Sequence, residues 1–231
     1  MRISISRRHA LLALAAGAII PRVARAELVT RLPVAKADKV VALTFDACET
    51  RTPAFLDTSI ADFLVARKLP FTIFACGRFA RHNGAALAAL SRHEFCEIEN
   101  HSMNHDNHME RMDAATVRRE VLEADALLAG ITGKHTRYFR FPAGNYAPET
   151  LATVESLGWR VVHWRFASGD PAKSLTPEHE TAWVLEKTRP GDILIFHING
   201  RGWSTGKALP VIVDTLASRG YRFARLDAVI S

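Results

Sequence analysis

Two histidines four residues apart, His101 and His105, form a pair whose spacing could bind a metal ion. Imidazole nitrogen is a common ligand for zinc and related ions, and two rings on one face of a helical turn could reach the same ion. The spacing alone is weak evidence, because the sequence contains 10 histidines and two solvated loop residues would give the same pattern. Other reactive side chains must therefore map to the same place.

Four further reactive residues follow predicted strands: Asp46 after the first, Arg140 at the end of the fourth, Asp170 shortly after the fifth and His197 after the sixth. In parallel α/β proteins, the loops after the carboxyl ends of the strands form the active-site face. We therefore expect two carboxylates, three histidines and an arginine on one rim of the fold.

This set of side chains could hydrolyse a carbonyl compound. A divalent ion can polarise the carbonyl and activate water, a carboxylate can accept a proton, and a histidine can donate one to a leaving nitrogen. The sequence has no Gly-x-Ser-x-Gly motif and no Gly-x-Gly-x-x-Gly after the first strand. A serine hydrolase and a dinucleotide-binding site are therefore not supported.

The segments that must position these residues alternate between two patterns. Apolar, β-branched runs predict strands at 39–45, 71–76, 95–99, 137–141, 160–166, 192–196 and 221–226. The intervening segments predict helices at 52–68, 78–91, 113–129, 148–157, 177–188 and 209–218. Continuous apolar strands joined by helices indicate a parallel α/β protein, although periodicity does not distinguish an open sheet from an incomplete barrel.

The N-terminus has the pattern of an export signal. Three arginines between residues 2 and 8 precede an uncharged apolar run at 10–20, and Ala24-Arg25-Ala26 has the small residues of a cleavage site. Ser6-Arg7-Arg8 also suits the twin-arginine type. We expect residues 1–26 to be removed, no stable membrane insertion afterwards, and a periplasmic or secreted protein.

The charge of the remaining chain excludes one class of partner. Residues 1–26 contain five arginines and no acidic residue, so the rest has 25 basic and 24 acidic side chains and a net charge of +1. Binding to nucleic acid is therefore not expected. The remaining length suits one hydrophobic core, and we expect a single domain over residues 37–231.

The reactive residues occur in motifs that resemble those of the polysaccharide deacetylases, also called the NodB-homology group or carbohydrate esterase family 4. The matching segments are Leu43-Thr-Phe-Asp46, His101-Ser-Met-Asn-His105, Phe139-Arg-Phe-Pro-Ala-Gly144, Asp170 and Ile195-Phe-His197. The resemblance covers nearly all of residues 37–231. It implies a distorted parallel (β/α) barrel of about seven strands, and an enzyme that deacetylates N-acetylated amino sugars of a cell-envelope polysaccharide or oligosaccharide.

The resemblance also implies a role for each matching residue. Asp46 would be the catalytic base, held in place by Arg140, and His197 would be the general acid, oriented by Asp170. The expected ligands of a divalent metal ion, zinc being the expected one, are His101, His105 and Asp46.

One departure from the family pattern affects the metal site. The family usually has a second Asp after the base as its third metal ligand, and this chain has Ala47 there. The residues that could complete the site are Asp46 itself, Cys48 and His108, the last only if the segment after His105 is helical.

The groove residues also differ from the family pattern. Ala143 stands where the family usually has Tyr, but its backbone N–H could still serve an oxyanion hole. Pro171 stands where a Trp is common. The aromatic residues Tyr146, Trp164 and Trp203 could stack on sugar rings.

Three questions stay open at this stage. A carbohydrate-binding pseudoenzyme and a non-sugar amidase are alternatives, because Ala47 weakens the metal site. Export argues against the amidase, and a retained acid and base argue against the pseudoenzyme. The odd number of cysteines leaves at least one unpaired, and Cys48–Cys76 is the more favourable disulfide, since both follow adjacent strands while Cys96 lies at the start of its strand.

Overall fold

The computed structural model describes residues 28–230, which form seven β-strands and six α-helices. The strands are β1 Val40–Ala47, β2 Phe71–Ala75, β3 Cys96–Asn100, β4 Tyr138–Phe139, β5 Arg160–Val161, β6 Ile193–His197 and β7 Arg222–Ala224. The helices are α1 Thr58–Ala66, α2 Gly77–Leu90, α3 Ala114–Thr132, α4 Pro148–Ser156, α5 Pro177–Lys187 and α6 Thr205–Ser218. The predicted export signal at 1–26 lies outside these residues. Within them, no helix is long and apolar enough to cross a bilayer.

The strands form one parallel sheet in the order β5-β4-β3-β2-β1-β6, with β7 paired to the first half of β1. The sheet curls into a half-barrel, which confirms the predicted distorted parallel (β/α) barrel. A short N-terminal segment spans the two edges: Val29 bridges to Val162, just after β5, and Arg31 bridges to Asp192, just before β6.

The central strand β1 separates the hydrophobic core from the reactive face. All eight of its residues are buried, and Leu43, Phe45 and Ala47 belong to the main core, which also contains residues of α1, α2 and α6. Successive side chains of a strand point to opposite faces. Asp46 and Cys48 accordingly line a cleft on the other side, and the methyl group of Ala47 fills a core position rather than leaving a gap.

The first helix begins later than the sequence predicted. We expected a start at Thr52-Pro53, but α1 begins at Thr58 after Asp57, whose carboxylate accepts a hydrogen bond from the Ser59 backbone. The preceding backbone N–H groups bind tertiary partners instead. The Ala54 N–H donates to Glu49 and the Leu56 N–H donates to Asn83, so this segment is held as an extended loop.

Three other boundaries also differ from the predictions. Strands β4 and β5 are only two residues long, since the chain leaves the sheet after Phe139 and Val161 to form the walls of the cleft. Helix α6 begins at Thr205, not Leu209, because Ser204 already accepts the first helical hydrogen bonds through its carbonyl.

Candidate active site

The carboxyl ends of the strands surround one open cleft of about 680 Å³. Its lining includes most of the predicted site residues: Asp46, His101, His105, Ala143, Trp164, Asp170 and His197. Arg140 is fully buried and binds Asp46 from behind. The structure therefore brings the predicted carboxylates, histidines and arginine together on one rim.

The two histidines of the pair lie in a loop, so the predicted helical turn is wrong. Ser102 and His105 have φ values of 66° and 53°, in the left-handed region that a right-handed helix excludes. The Asn100 side chain accepts from the Ser102 N–H, and the Ser102 hydroxyl accepts from the His105 N–H. These bonds replace the helical ones, and they bring the Nε2 atoms of His101 and His105 within 3.2 Å.

The N-terminus of α2 fixes this loop. Its first N–H groups have no partner within the helix, and those of Gly77 and Arg78 donate to the carbonyls of Ser102 and Met103 at 2.9 and 3.0 Å. A Cβ at Gly77 would lie 2.1 Å from the Met103 sulfur. The start of α2 and the histidine loop are therefore in direct contact, and a side chain at Gly77 would have to displace the Met103 side chain.

Both imidazoles are buried and neutral. The Nδ1 of His101 lies 2.8 Å from the Arg140 carbonyl, which can only accept, so Nδ1 carries the proton and the Nε2 lone pair faces the cleft. Burial lowers the pKa of His101 below its ordinary 6.5 and lowers the pKa of His105 to about 3. Around the His101 Nε2 lie the Asp46 Oδ2 at 3.5 Å and the Cys48 sulfur at 3.6 Å.

Asp46 is a buried carboxylate held in its ionised form. The Arg140 guanidinium donates to Asp46 Oδ1 at 2.7 Å and to the Thr44 hydroxyl at 3.0 Å. Burial acts to raise the pKa of Asp46, but the charge and hydrogen bond of Arg140, together with the charge of a protonated His197, outweigh it and hold this pKa below the ordinary 3.8. The Asp46 carboxylate is therefore ionised near neutral pH and can accept a proton as a base.

His197 is paired with Asp170 at two points. Asp170 accepts from the His197 backbone N–H at 2.6 Å and lies 2.9 Å from its Nδ1. Burial acts to lower the pKa of His197, but the hydrogen bond and charge of Asp170 outweigh it and raise the pKa above 6.5. This favours the protonated form, which a general acid requires.

The sequence did not reveal two residues behind this pair. The Thr205 hydroxyl lies 3.0 Å from Asp170 Oδ2 and 3.2 Å from Glu180 Oε1. Glu180 is fully buried, and its Oε2 has no hydrogen-bond partner among residues 28–230. Burial and the charge of Asp170 raise the pKa of Glu180 to about 7. A neutral Glu180 can donate to Thr205, which then donates to Asp170.

The wall opposite the histidines is formed by a strained turn and an indole. Ala143 has a φ of 54°, an uncommon value for a residue with a side chain. A Cβ at Gly144 would lie 3.1 Å from the Trp164 ring, so the ring packs directly on this turn. Tyr146 contacts Phe141 and lies outside the cleft lining, and its sugar-stacking role stays a prediction.

A thiol joins the two imidazoles. Ligand atoms of Cys48, His101 and His105 all lie within 4.8 Å of one another, and those of Asp46, Cys48 and His197 form a second such group. His108 is exposed and lies 3.1 Å from Glu110, and because the loop is not helical it does not join either group. All three cysteines are free thiols, so the Cys48–Cys76 disulfide does not form.

Comparison with known proteins matches the region that carries these motifs. The family model described as polysaccharide deacetylase matches residues 34–162. A chitooligosaccharide deacetylase of Azorhizobium caulinodans is 29% identical over 170 residues, which cover 65% of this chain and 76% of the relative. Across the curated relatives, the share of the relative that is covered varies from 30% to 76%.

Two solved structures show the same fold. A CE4 family pseudoenzyme from Bacillus anthracis has a TM-score of 0.77 and 20% identity, covering 89% of this chain and 69% of its own. An acetyl xylan esterase from Clostridium thermocellum, solved with a cobalt ion, has a TM-score of 0.72 and 26% identity, covering 82% and 89% respectively. At 20% identity, the likeness to the pseudoenzyme bears on the fold alone.

Proposed function

The chain belongs to the polysaccharide deacetylase family, and on that premise we propose that it is a metal-dependent hydrolase that removes N-acetyl groups from amino sugars of a cell-envelope polysaccharide. The observation that carries the proposal is the pairing of a base with an acid in one cleft. Asp46 and His197 are register partners on the adjacent strands β1 and β6. Arg140 lowers the pKa of the first, and Asp170 raises the pKa of the second.

The side chains in the cleft suit a divalent cation. His101 and His105 are neutral, and their Nε2 atoms are 3.2 Å apart. Because the His101 proton lies on Nδ1, the Nε2 lone pair of this ring faces the cleft. These two residues would hold the ion. When bound, such an ion polarises the acetyl carbonyl and lowers the pKa of a water molecule.

Asp46 takes the proton from the attacking water in this proposal. Its ion pair with Arg140 leaves Oδ2 free on the side of the cleft, where it lies 3.5 Å from the His101 Nε2. The Ala143 N–H, on the cleft wall, donates to the oxygen of the acetyl carbonyl as negative charge develops there. The Trp164 ring forms the wall against which a sugar ring packs.

His197 donates the proton that the departing amine requires. Because Asp170 accepts from Nδ1, the other ring nitrogen carries the proton that can be transferred. His197 retains limited exposure at the cleft, with 12% of its side chain accessible. An amide leaving group needs this proton, since an amide anion is a poor leaving group near neutral pH.

The substrate and location follow from the family and the N-terminus. The relatives include chitooligosaccharide deacetylase and peptidoglycan N-acetylglucosamine deacetylase. We place this protein in the periplasm or outside the cell because residues 1–26 have the pattern of an export signal. An N-acetylated polymer or oligomer of the envelope is the substrate that such an enzyme would meet.

The deciding experiment measures acetate release from N-acetylglucosamine oligomers and from peptidoglycan, before and after chelation. We expect release that stops with the chelator and returns with zinc. Asp46→Asn and His197→Ala should each lose at least about 100-fold in kcat, while Asp62→Asn, which alters an exposed carboxylate on α1, should match the wild type.

Three outcomes would replace the proposal. Tight glycan binding with no acetate would identify a pseudoenzyme. Cleavage of cyclic imides in preference to sugars would identify a non-sugar amidase. Acetate release only from acetylated xylan would identify an esterase, the activity named for the Clostridium thermocellum structure.

A further inference from the structure

Two imidazoles alone are an incomplete set of ligands for a catalytic metal ion. Catalytic zinc sites usually have three protein ligands and one open position. Ala47, which stands where the family usually has the third ligand, has a methyl side chain that is fully buried in the hydrophobic core. A third donor must therefore come from another residue that faces the cleft.

We propose that the thiolate of Cys48 is this third ligand, so that the cleft holds a centre of two histidines and one cysteine that selects thiophilic ions such as zinc. This inference rests on the proposed function in one respect, which is that a metal ion binds in the cleft. It does not depend on which acetylated compound is cleaved.

The distances between the donor atoms agree with one ion among them. Tetrahedral zinc with bonds of about 2.0–2.1 Å to nitrogen and about 2.3 Å to sulfur separates two nitrogens by about 3.3 Å and nitrogen from sulfur by about 3.6 Å. The Nε2 atoms of His101 and His105 are 3.2 Å apart, and the Cys48 sulfur is 3.6 Å from the His101 Nε2. All three residues are at least 96% buried.

The backbone around Cys48 directs the sulfur to this place. Alternation along β1 puts Ala47 in the core and its two neighbours on the cleft side. The Asn199 amide donates to the Cys48 carbonyl at 2.6 Å, which ties the residue to the loop after β6. The position therefore does not depend on a flexible side chain, since a cysteine has a single side-chain torsion before its sulfur.

Four donor atoms surround one point of the cleft. The His101 Nε2 presents a lone pair there, because the proton of this ring lies on Nδ1. The His105 Nε2, the Asp46 Oδ2 and the Cys48 sulfur lie 3.2, 3.5 and 3.6 Å from this nitrogen. Burial raises the pKa of the Cys48 thiol well above its ordinary 9.0, so the binding of a cation must displace the thiol proton.

Asp46 is less suited to this position than Cys48. Its Oδ1 is bound by Arg140, and it shares a separate group of donor atoms with Cys48 and His197. Cys48 belongs to both groups, so its sulfur lies between the histidine pair and the acid–base pair. This arrangement leaves Asp46 Oδ2 for proton transfer.

The test uses the full chain, stripped by a chelator and reloaded with cobalt(II) or zinc. A thiolate ligand gives cobalt(II) a near-ultraviolet charge-transfer band that nitrogen and oxygen ligands do not give. We expect this band in the wild type, and zinc affinity well above that for magnesium or calcium, because soft sulfur favours zinc. Cys96→Ser, which changes another buried thiol at the far end of β3 from the histidines, should keep both properties.

Cys48→Ala should lose the band and at least about 100-fold in zinc affinity. Cys48→Asp restores a charged ligand and should recover affinity without the band, which separates loss of a ligand from misfolding. A wild type that binds cobalt without the band, a Cys48→Ala variant that retains it, or a wild type that binds neither metal would overturn the inference. If the wild type releases acetate but shows no band, only the assignment of Cys48 as a ligand is overturned. If the wild type shows the band but releases no acetate, only the proposed function is overturned.

Discussion

Asp170 holds His197 through two oxygens, one 2.6 Å from its backbone N–H and the other 2.9 Å from its Nδ1. The first bond fixes the end of β6, and the second fixes the imidazole ring and its tautomer. The same carboxylate also accepts from the Ser168 hydroxyl at 3.1 Å. One buried carboxylate thus determines the position and the orientation of His197 and raises its pKa.

Asp170→Asn should shift the alkaline limb of the pH profile to lower pH. Asp170 raises the pKa of His197 above 6.5. The protonated form of His197 therefore persists to higher pH in the wild type, and it is lost as the pH rises through this raised pKa. Removing the charge lowers the pKa and should reduce kcat by about 10²–10⁴. The measurement is kcat/KM against pH. Ser168→Ala removes a donor to Asp170 but keeps the charge of Asp170, so it should not shift the limb to lower pH, and an unmoved limb in Asp170→Asn would contradict this assignment.

Removing both members of the Asp46–Arg140 pair should destabilise the fold less than the summed effects of the two single changes. Arg140 is fully buried, and Arg140→Met leaves the Asp46 carboxylate without its cation, at a cost of about 3–5 kcal/mol. Asp46→Asn leaves the guanidinium uncompensated in the same way. The double variant removes both charges. Its free energy of unfolding, measured in urea, should therefore be about 1–3 kcal/mol higher than the value obtained by adding the losses of the two single variants. Strict additivity would show that the two charges do not interact.

The convergence of the site could be predicted because it depends on topology. Asp46 and His197 follow strands that are neighbours in a parallel sheet, so any correct assignment of the strands brings them together. The core could be predicted for the same reason, since continuous apolar strands must be covered on both faces.

Features that depend on side-chain hydrogen bonds could not be predicted. The spacing of His101 and His105 suggested a helical turn, but bonds from Asn100 and Ser102 to the backbone produce a loop instead. The choice among Asp46, Cys48 and His108 also required the local course of the chain. Glu180 resembled an ordinary acidic residue in the first turn of a helix, and only the packing of α5 on α6 revealed its contact with Thr205.

Glu180 should act on the acid–base pair through Thr205. The charged groups that act on His197 are Asp170, Asp46 and Arg201, and the two charged residues of α6, Lys207 and Asp214, are exposed. Glu180→Leu removes the carboxyl that contacts the Thr205 hydroxyl and that can donate to it when neutral, and Thr205→Val removes the donor to Asp170. Both should raise the pKa of His197, because Asp170 then keeps more of its charge, and both should move the alkaline limb of kcat/KM to higher pH with little change in KM.

The readouts are the pH profile and the NMR titration of the His197 ring. Glu180→Gln retains a donor and should keep the alkaline limb near its wild-type position. Val184→Ala provides the structural control, because it truncates a buried residue on the same helix and should lower the melting temperature without moving the titration. If Glu180→Leu and Thr205→Val behave like Val184→Ala, Glu180 serves packing alone.

A second buried carboxyl, far from the cleft, should make stability depend on pH. Glu97 on β3 is 8% exposed, and its Oε2 accepts from the Thr72 hydroxyl and the Leu226 N–H. Its Oε1 has no partner among residues 28–230. Burial, followed by the charge of Asp227, raises the pKa of Glu97 above the ordinary 4.5. The neutral acid therefore stabilises the folded state below pH 4.5, and this contribution is lost as the pH rises through the folded-state pKa.

Glu97→Gln keeps the accepting oxygen and cannot ionise. We expect it to raise the free energy of unfolding by about 1–3 kcal/mol at pH 8 and to leave it nearly unchanged at pH 4, since each unit of pKa shift corresponds to about 1.4 kcal/mol. Urea denaturation at the two pH values measures the difference. Glu94→Gln, an exposed neighbour, should show no such dependence. Equal stability of Glu97→Gln and the wild type at pH 8 would mean that the folded protein accommodates the Glu97 charge without cost.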